Sequence, residues 1–216
     1  MPALRSAEDL LILELKQIHS AERQLSRALP RLARQADSDR LREMLERRRE
    51  QGAGLIDRIE DALEEMQATK ARQKNVIAEA LIEDINEHLD TIEDDALIDA
   101  FVLAAVQKTE HYCIAAWGTA AALARLVEED EIVQTMEQAL DEGKRFDEEM
   151  TKLAEEEVNP RMIEGENKEG EEDGELEEED GEAEDEEEES SSNKREERAG
   201  AGQNGNGRRK SQGGRR

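Results

Sequence analysis

Residues 103–124 read LAAVQKTEHYCIAAWGTAAALA. Within them Leu103, Val106, Glu110, Cys113, Trp117, Ala121 and Ala124 recur at steps of three and four, which predicts one inward stripe of a long α-helix. Glu110 is the exception in that stripe, a carboxylate where a core residue is expected. Burying a carboxylate without a cation, a hydrogen-bond donor or a proton is expensive, so its partner becomes the question.

The same spacing extends to both sides. Upstream, Ser6 followed by Asp9 reads as a helix-capping pair, and Leu11, Leu15, Ile18, Glu22, Leu25, Leu29 and Leu32 form a first stripe. Pro30 is expected to kink or end that helix near Leu29. Asp37 and Ser38 read as a break and a new N-cap. A second stripe follows, with Leu41, Leu45, Arg48, Gln51 or Gly52, Leu55, Ile59, Leu63 and Met66. Thr69 to Asn75 is a polar connection, and Ile77, Leu81, Ile85 and Leu89 mark a shorter helix. Asp94 and Asp95 are candidate caps of the helix that holds residues 103–124. The last stripe is Val133, Met136, Leu140, Gly143, Asp147, Met150 and Ala154. Four long helices with one short crossover helix predict an all-α, ferritin-like four-helix bundle.

Composition agrees. Only 2% of the 216 residues are aromatic while 40% are charged, so the core must rest on Leu, Ile, Ala and Met. Residues 1–160 contain 37 Asp/Glu against 20 Lys/Arg, an excess that repels phosphates and argues against nucleic acid or anionic lipid as a partner of the bundle. No uncharged run is long enough to span a bilayer, and no basic-then-apolar leader opens the sequence. With Cys113 as the single cysteine, the expected compartment is the cytoplasm. The domain division expected is a bundle over 6–158 and a tail over 159–216, acidic first and basic at its end. The tail's composition cannot bury enough apolar surface to offset ordering entropy, so it is expected to be disordered. No nucleotide-binding glycine motif, nucleophile elbow or zinc-type Cys/His spacing occurs, which sets aside the usual hydrolase and kinase classes.

Three stripes carry an acid: Glu22, Glu110 and Asp147. Inward carboxylates from facing helices are how di-metal bundles hold their ions. The alternatives are edge positions facing water, or neutralisation of Glu22 or Asp147 by Arg48, which shares the register.

Ser20-Ala21-Glu22-Arg23-Gln24-Leu25 with Ala28-Leu29-Pro30-Arg31-Leu32-Ala33, Ala80-Leu81-Ile82-Glu83, and the run from Ala104 through Tyr112 to Thr119 together resemble the YciF-like family of ferritin-like bacterial stress proteins. The resemblance spans about residues 6–157. It implies a helical bundle, a homodimer, and a carboxylate-rich di-metal centre that takes iron, to which Glu22, Glu110 and Asp147 would contribute. It also exposes departures: Arg48 stands where the family pattern has His, Gln51 where it has an inward Glu, and Cys113 and Gly143 where further Glu residues are expected. Cys113 and Trp117 read as core residues, His111 as a helix-contact residue, and His19 and His88 as surface residues. The function expected is a stress-associated bundle with a partly degraded di-metal site, serving as a non-catalytic structural or interaction module. The alternative is an iron-binding protein with di-iron redox activity of the ferroxidase type.

Overall fold

A computed structural model describes residues 3–68 and 73–163. The tail expected over 159–216 begins inside them: residues 159–163 are helical, and 164–216 lie outside the described residues. Among the described residues the elements are α1 (Ala7–Gln35), α2 (Asp39–Glu65), α3 (Val76–Leu89), α4 (Asp95–Leu126) and α5 (Asp130–Leu153), with α5 continuing through a π turn, Ala154–Val158. No strand occurs among them. The all-α bundle read from the sequence is the fold observed.

The first three helices begin where a side chain can take up orphan backbone donors. Ser6 Oγ accepts from Asp9 N while Asp9 reaches back to the Ser6 N–H, the full capping box. Ser38 caps α2. Asn75, wholly buried, accepts from Ile77 N and Ala78 N and donates to Gln17 O and the Tyr112 hydroxyl. It therefore starts α3 and ties it to α1 and α4. Pro30 does not end α1, which runs on to Gln35. The lost bond and ring clash cost about 3 kcal/mol. Buried Leu29, Leu32 and Ala33 flank the proline, and each buried leucine returns about 1.5–3 kcal/mol. At the α1–α2 corner, buried Asp99 accepts from Asp37 N and Ser38 N, each at 2.8 Å. Ser38 Oγ donates to Glu157 Oε1 at 2.8 Å, fastening the π turn to the same corner.

The long helices form a ring in which α1 packs on α2 and α4, and α5 on α4 and α2, while α3 crosses α1 and α4. Their apolar stripes make two separate clusters. One holds Leu29, Leu32, Leu41, Leu45, Val106, Phe146 and Met150. The other holds Leu15, Ile18, Leu25, Leu55, Ile59, Trp117 and Met136. Between them, at mid-height on α2, α4 and α5, stand Arg48, Glu110 and Gly143.

The stripes of α1 and α4 are buried at every position named from sequence. That of α5 holds at Met136, Gly143 and Met150 and is displaced by one residue at the positions between: Ile132, Ala139, Phe146 and Leu153 face inward in place of Val133, Leu140, Asp147 and Ala154. Phe146 decides the register, because turning Asp147 inward would expose the ring that fills the lower cluster. In α3, Ala78 is buried and Ile77 is exposed, reversing the expected order, because Asn75 fixes how the first turn docks.

Candidate functional site

Glu22, Arg48 and Glu110 meet in the polar layer, each no more than 3% exposed. Arg48 Nε donates to Glu110 Oε2 at 2.7 Å. Its two terminal nitrogens donate to the two oxygens of Glu22, at 3.1 and 3.0 Å. The fork-on-fork pairing with Glu22 is the geometry that suits a planar guanidinium and a carboxylate. The Arg48 guanidinium also lies over the Trp117 ring, 5.4 Å from its centroid, within cation–π range.

Two glycines make this arrangement possible. A Cβ on Gly52 would lie 2.7 Å from Glu22 Oε2 and 3.0 Å from an Arg48 nitrogen. A Cβ on Gly143 would collide with Trp117 Cζ3 and lie 2.8 Å from Glu110 Oε1. Gly52 was one of two candidates for its place in the stripe. Gly143 was read as the loss of a ligand, and what the sequence does not reveal is that its missing side chain seats Trp117 and Glu110.

The electrostatics are those of a buried ion cluster. Burial works against the Arg48 charge, yet Glu22 and Glu110 overcome it and raise its pKa well above the ordinary value. Burial pushes the Glu110 carboxyl up, Arg48 pulls it back, and Glu22 and Asp147 add to the upward shift. Glu110 Oε1 has no hydrogen-bond partner among the described residues. Burial, with Glu22 beside it, also raises the Cys113 thiol well above its usual range, which keeps it protonated and suits its place in the apolar cluster.

Asp147 does not join the cluster. It is partly exposed at the edge of α5, pairs with His111 at 3.2 Å, and accepts from Gln107 at 3.2 Å. His111 thus makes an α4–α5 contact while staying largely exposed. His88 is exposed, whereas His19 is partly buried and pairs with Glu60 at 2.7 Å. Gln51 is partly buried and lines a small cavity of about 10 Å³ beside Arg48, Glu110 and Gly143, room for about one water.

A di-metal centre needs several anionic oxygens around two cations. Here two carboxylates converge, and a guanidinium already lies between them. Among the described residues no group of three or more His, Cys, Asp or Glu is arranged to hold a metal ion. The residues present do not fit a di-iron site.

A family model described as a domain of unknown function (DUF892) matches residues 6–163. Protein YciF of Escherichia coli (strain K12) is 37% identical over 166 residues, covering 76% of this chain and 98% of the relative. The crystal structure of the E. coli stress protein YciF superposes with a TM-score of 0.68 over 72% of this chain and 99% of that one. YcfI, a candidate structural protein from Rhodopseudomonas palustris, gives 0.65 at 29% identity, covering 68% and 94%. A Xanthomonas campestris pv. campestris protein shares the fold at 0.62 with 16% identity, covering 74% and 99%.

Proposed function

This chain belongs to the DUF892 family, alongside the YciF stress protein, and we propose on that footing that it is a non-catalytic scaffold of the stress-protein type. In it an internal ion cluster stands where a metal centre would otherwise sit. The observation that carries this reading is the Arg48 guanidinium bonded at once to Glu22 and Glu110. Both carboxylates share one counter-charge supplied by the protein itself, in the place a metal ion would take. Gly52 and Gly143 support the same reading, since both leave space used by the cluster and by Trp117. The likeness to a candidate structural protein is consistent with it. The scaffold acts as a cytoplasmic homodimer in this proposal; exposed Val76 and Ile77 at the start of α3 support self-association.

The competing reading, iron binding with ferroxidase-type activity, draws on Glu22 and Glu110 facing each other across the core. Anaerobic loading of the full chain with ferrous iron, followed by desalting and metal analysis, separates the two. The scaffold reading expects only trace iron. A content near about two iron per chain, the stoichiometry of a di-iron bundle, would overturn it.

A further inference from the structure

Between Leu15 and Gln35 the only acid on α1 is the buried Glu22. Over the same stretch the helix carries Lys16, Arg23, Arg27, Arg31 and Arg34. At 100° per residue these five fall within a sector of about 80°, a cationic stripe about 27 Å long. In a chain of net charge -27 such a segregation is unusual, and it has a cost: Arg23, Arg27 and Arg31 follow each other at i, i+4, where like charges repel.

Neighbouring acids answer only part of it. Arg31 pairs with Asp90, Arg23 is 3.9 Å from Glu60, and Glu79 is engaged by Lys74. Lys16, Arg27 and Arg34 make no ion pair among the described residues. Lys16, Arg23 and Arg27 also border a cleft of about 570 Å³ between α1, α2 and the start of α3.

We infer that this stripe is the docking surface for the acidic segment of the same chain, residues 164–189. That segment holds 18 Asp/Glu and a single Lys in 26 residues. It begins immediately after Ile163. The π turn preceding it is fastened to the α1–α2 corner through Ser38–Glu157 and Arg40–Glu156, next to the end of α1 that bears Arg34. At about 3.3 Å per residue the segment reaches about 85 Å, three times the length of the stripe. Covalent attachment gives it a high effective concentration at this face, which an external polyanion lacks. Repulsion from acids elsewhere on the bundle is largely screened beyond a Debye length of about 8 Å at physiological salt, so the local cations govern the contact. The segment leaves the stripe neutralised and closes it to nucleic acid and anionic lipid. This inference does not depend on the scaffold reading.

The test uses the full chain, isotopically labelled, with a spin label on Gly174→Cys; native Cys113 is buried and its thiol suppressed. Relaxation enhancement should be several-fold larger at amides from Lys16 to Arg34 than at Gln138 to Glu142 on α5. It should vanish in molar salt and in the Arg23→Glu/Arg27→Glu/Arg34→Glu variant, whose helical content is checked by circular dichroism. If charge reversal unfolds the chain, Arg→Gln changes at the same three positions serve. Enhancement spread evenly over the bundle, or surviving neutralisation of the stripe, overturns the assignment. So does its abolition by micromolar short oligodeoxythymidine or by anionic phospholipid vesicles, which would make an external polyanion the occupant.

Discussion

Gly143 on α5 lies so close against Trp117 on α4 that a methyl group there would collide with the indole unless one of the two shifted. The position from which the family resemblance would draw a metal-binding carboxylate is therefore filled by an indole. That indole in turn stacks on the guanidinium holding Glu22 and Glu110. Two departures from the family pattern, Arg48 and Gly143, thus form one packed unit with Trp117 and the paired carboxylates.

Gly143→Ala tests that packing. Overpacking costs about 1–3 kcal/mol, while alanine regains about 1 kcal/mol of helix preference, so a net loss of up to about 2 kcal/mol is expected. Gly118 and Gly54 are also helical, but nothing lies within 4 Å of a Cβ added to either. Gly118→Ala should therefore stabilise the protein by about 0.5–1 kcal/mol. Urea midpoints of the variants measure the contrast, and equal shifts in one direction would show that crowding at Gly143 is unimportant.

Arg48→Met leaves two buried carboxylates without their cation and should destabilise the bundle by about 3–5 kcal/mol. Replacing the whole cluster, as Glu22→Leu/Arg48→Met/Glu110→Leu, removes all three charges of the polar layer. That triple variant should recover most of the loss and is expected to match or exceed the parent, by up to about 1–4 kcal/mol. Chemical denaturation of the single and triple variants is the measurement. A triple variant clearly less stable than the parent would mean that the ion cluster contributes net stability.

The Glu110 carboxyl is pushed above its ordinary value of 4.5, chiefly by burial. The folded protein then binds this proton more tightly than the unfolded chain does. The associated stability is fully present below the unfolded pKa and declines as pH rises through the folded one. Glu110→Gln keeps an acceptor for Arg48 Nε and abolishes the titration. Stability of the parent relative to Glu110→Gln should thus fall as pH rises above the ordinary carboxylate value and through the raised folded-state pKa, and then level off. A difference that instead grew with pH would place the Glu110 pKa below its ordinary value.

Helix number, order and most inward faces were legible because a period of 3.6 leaves a plain trace when a helix buries one side only. The stripe through Glu22 and the one through Glu110 were correct at every position. The α5 stripe was correct at Met136, Gly143 and Met150 but slipped at the positions between, since Val133 and Ile132, or Leu140 and Ala139, satisfy the same spacing one residue apart. Only the fit of Phe146 against α1, α2 and α4 side chains chooses between them.

From the sequence alone it followed that four amphipathic helices must pack on each other, and that acids inside their stripes demand partners. Which partner each acid finds was settled by tertiary structure, because it depends on how helices far apart in the chain are rotated about their axes. That rotation brings Arg48 between Glu22 and Glu110 and turns Asp147 aside to His111. Periodicity locates a side chain on its own helix to within a residue, whereas an ion cluster is decided by ångström differences across three helices at once.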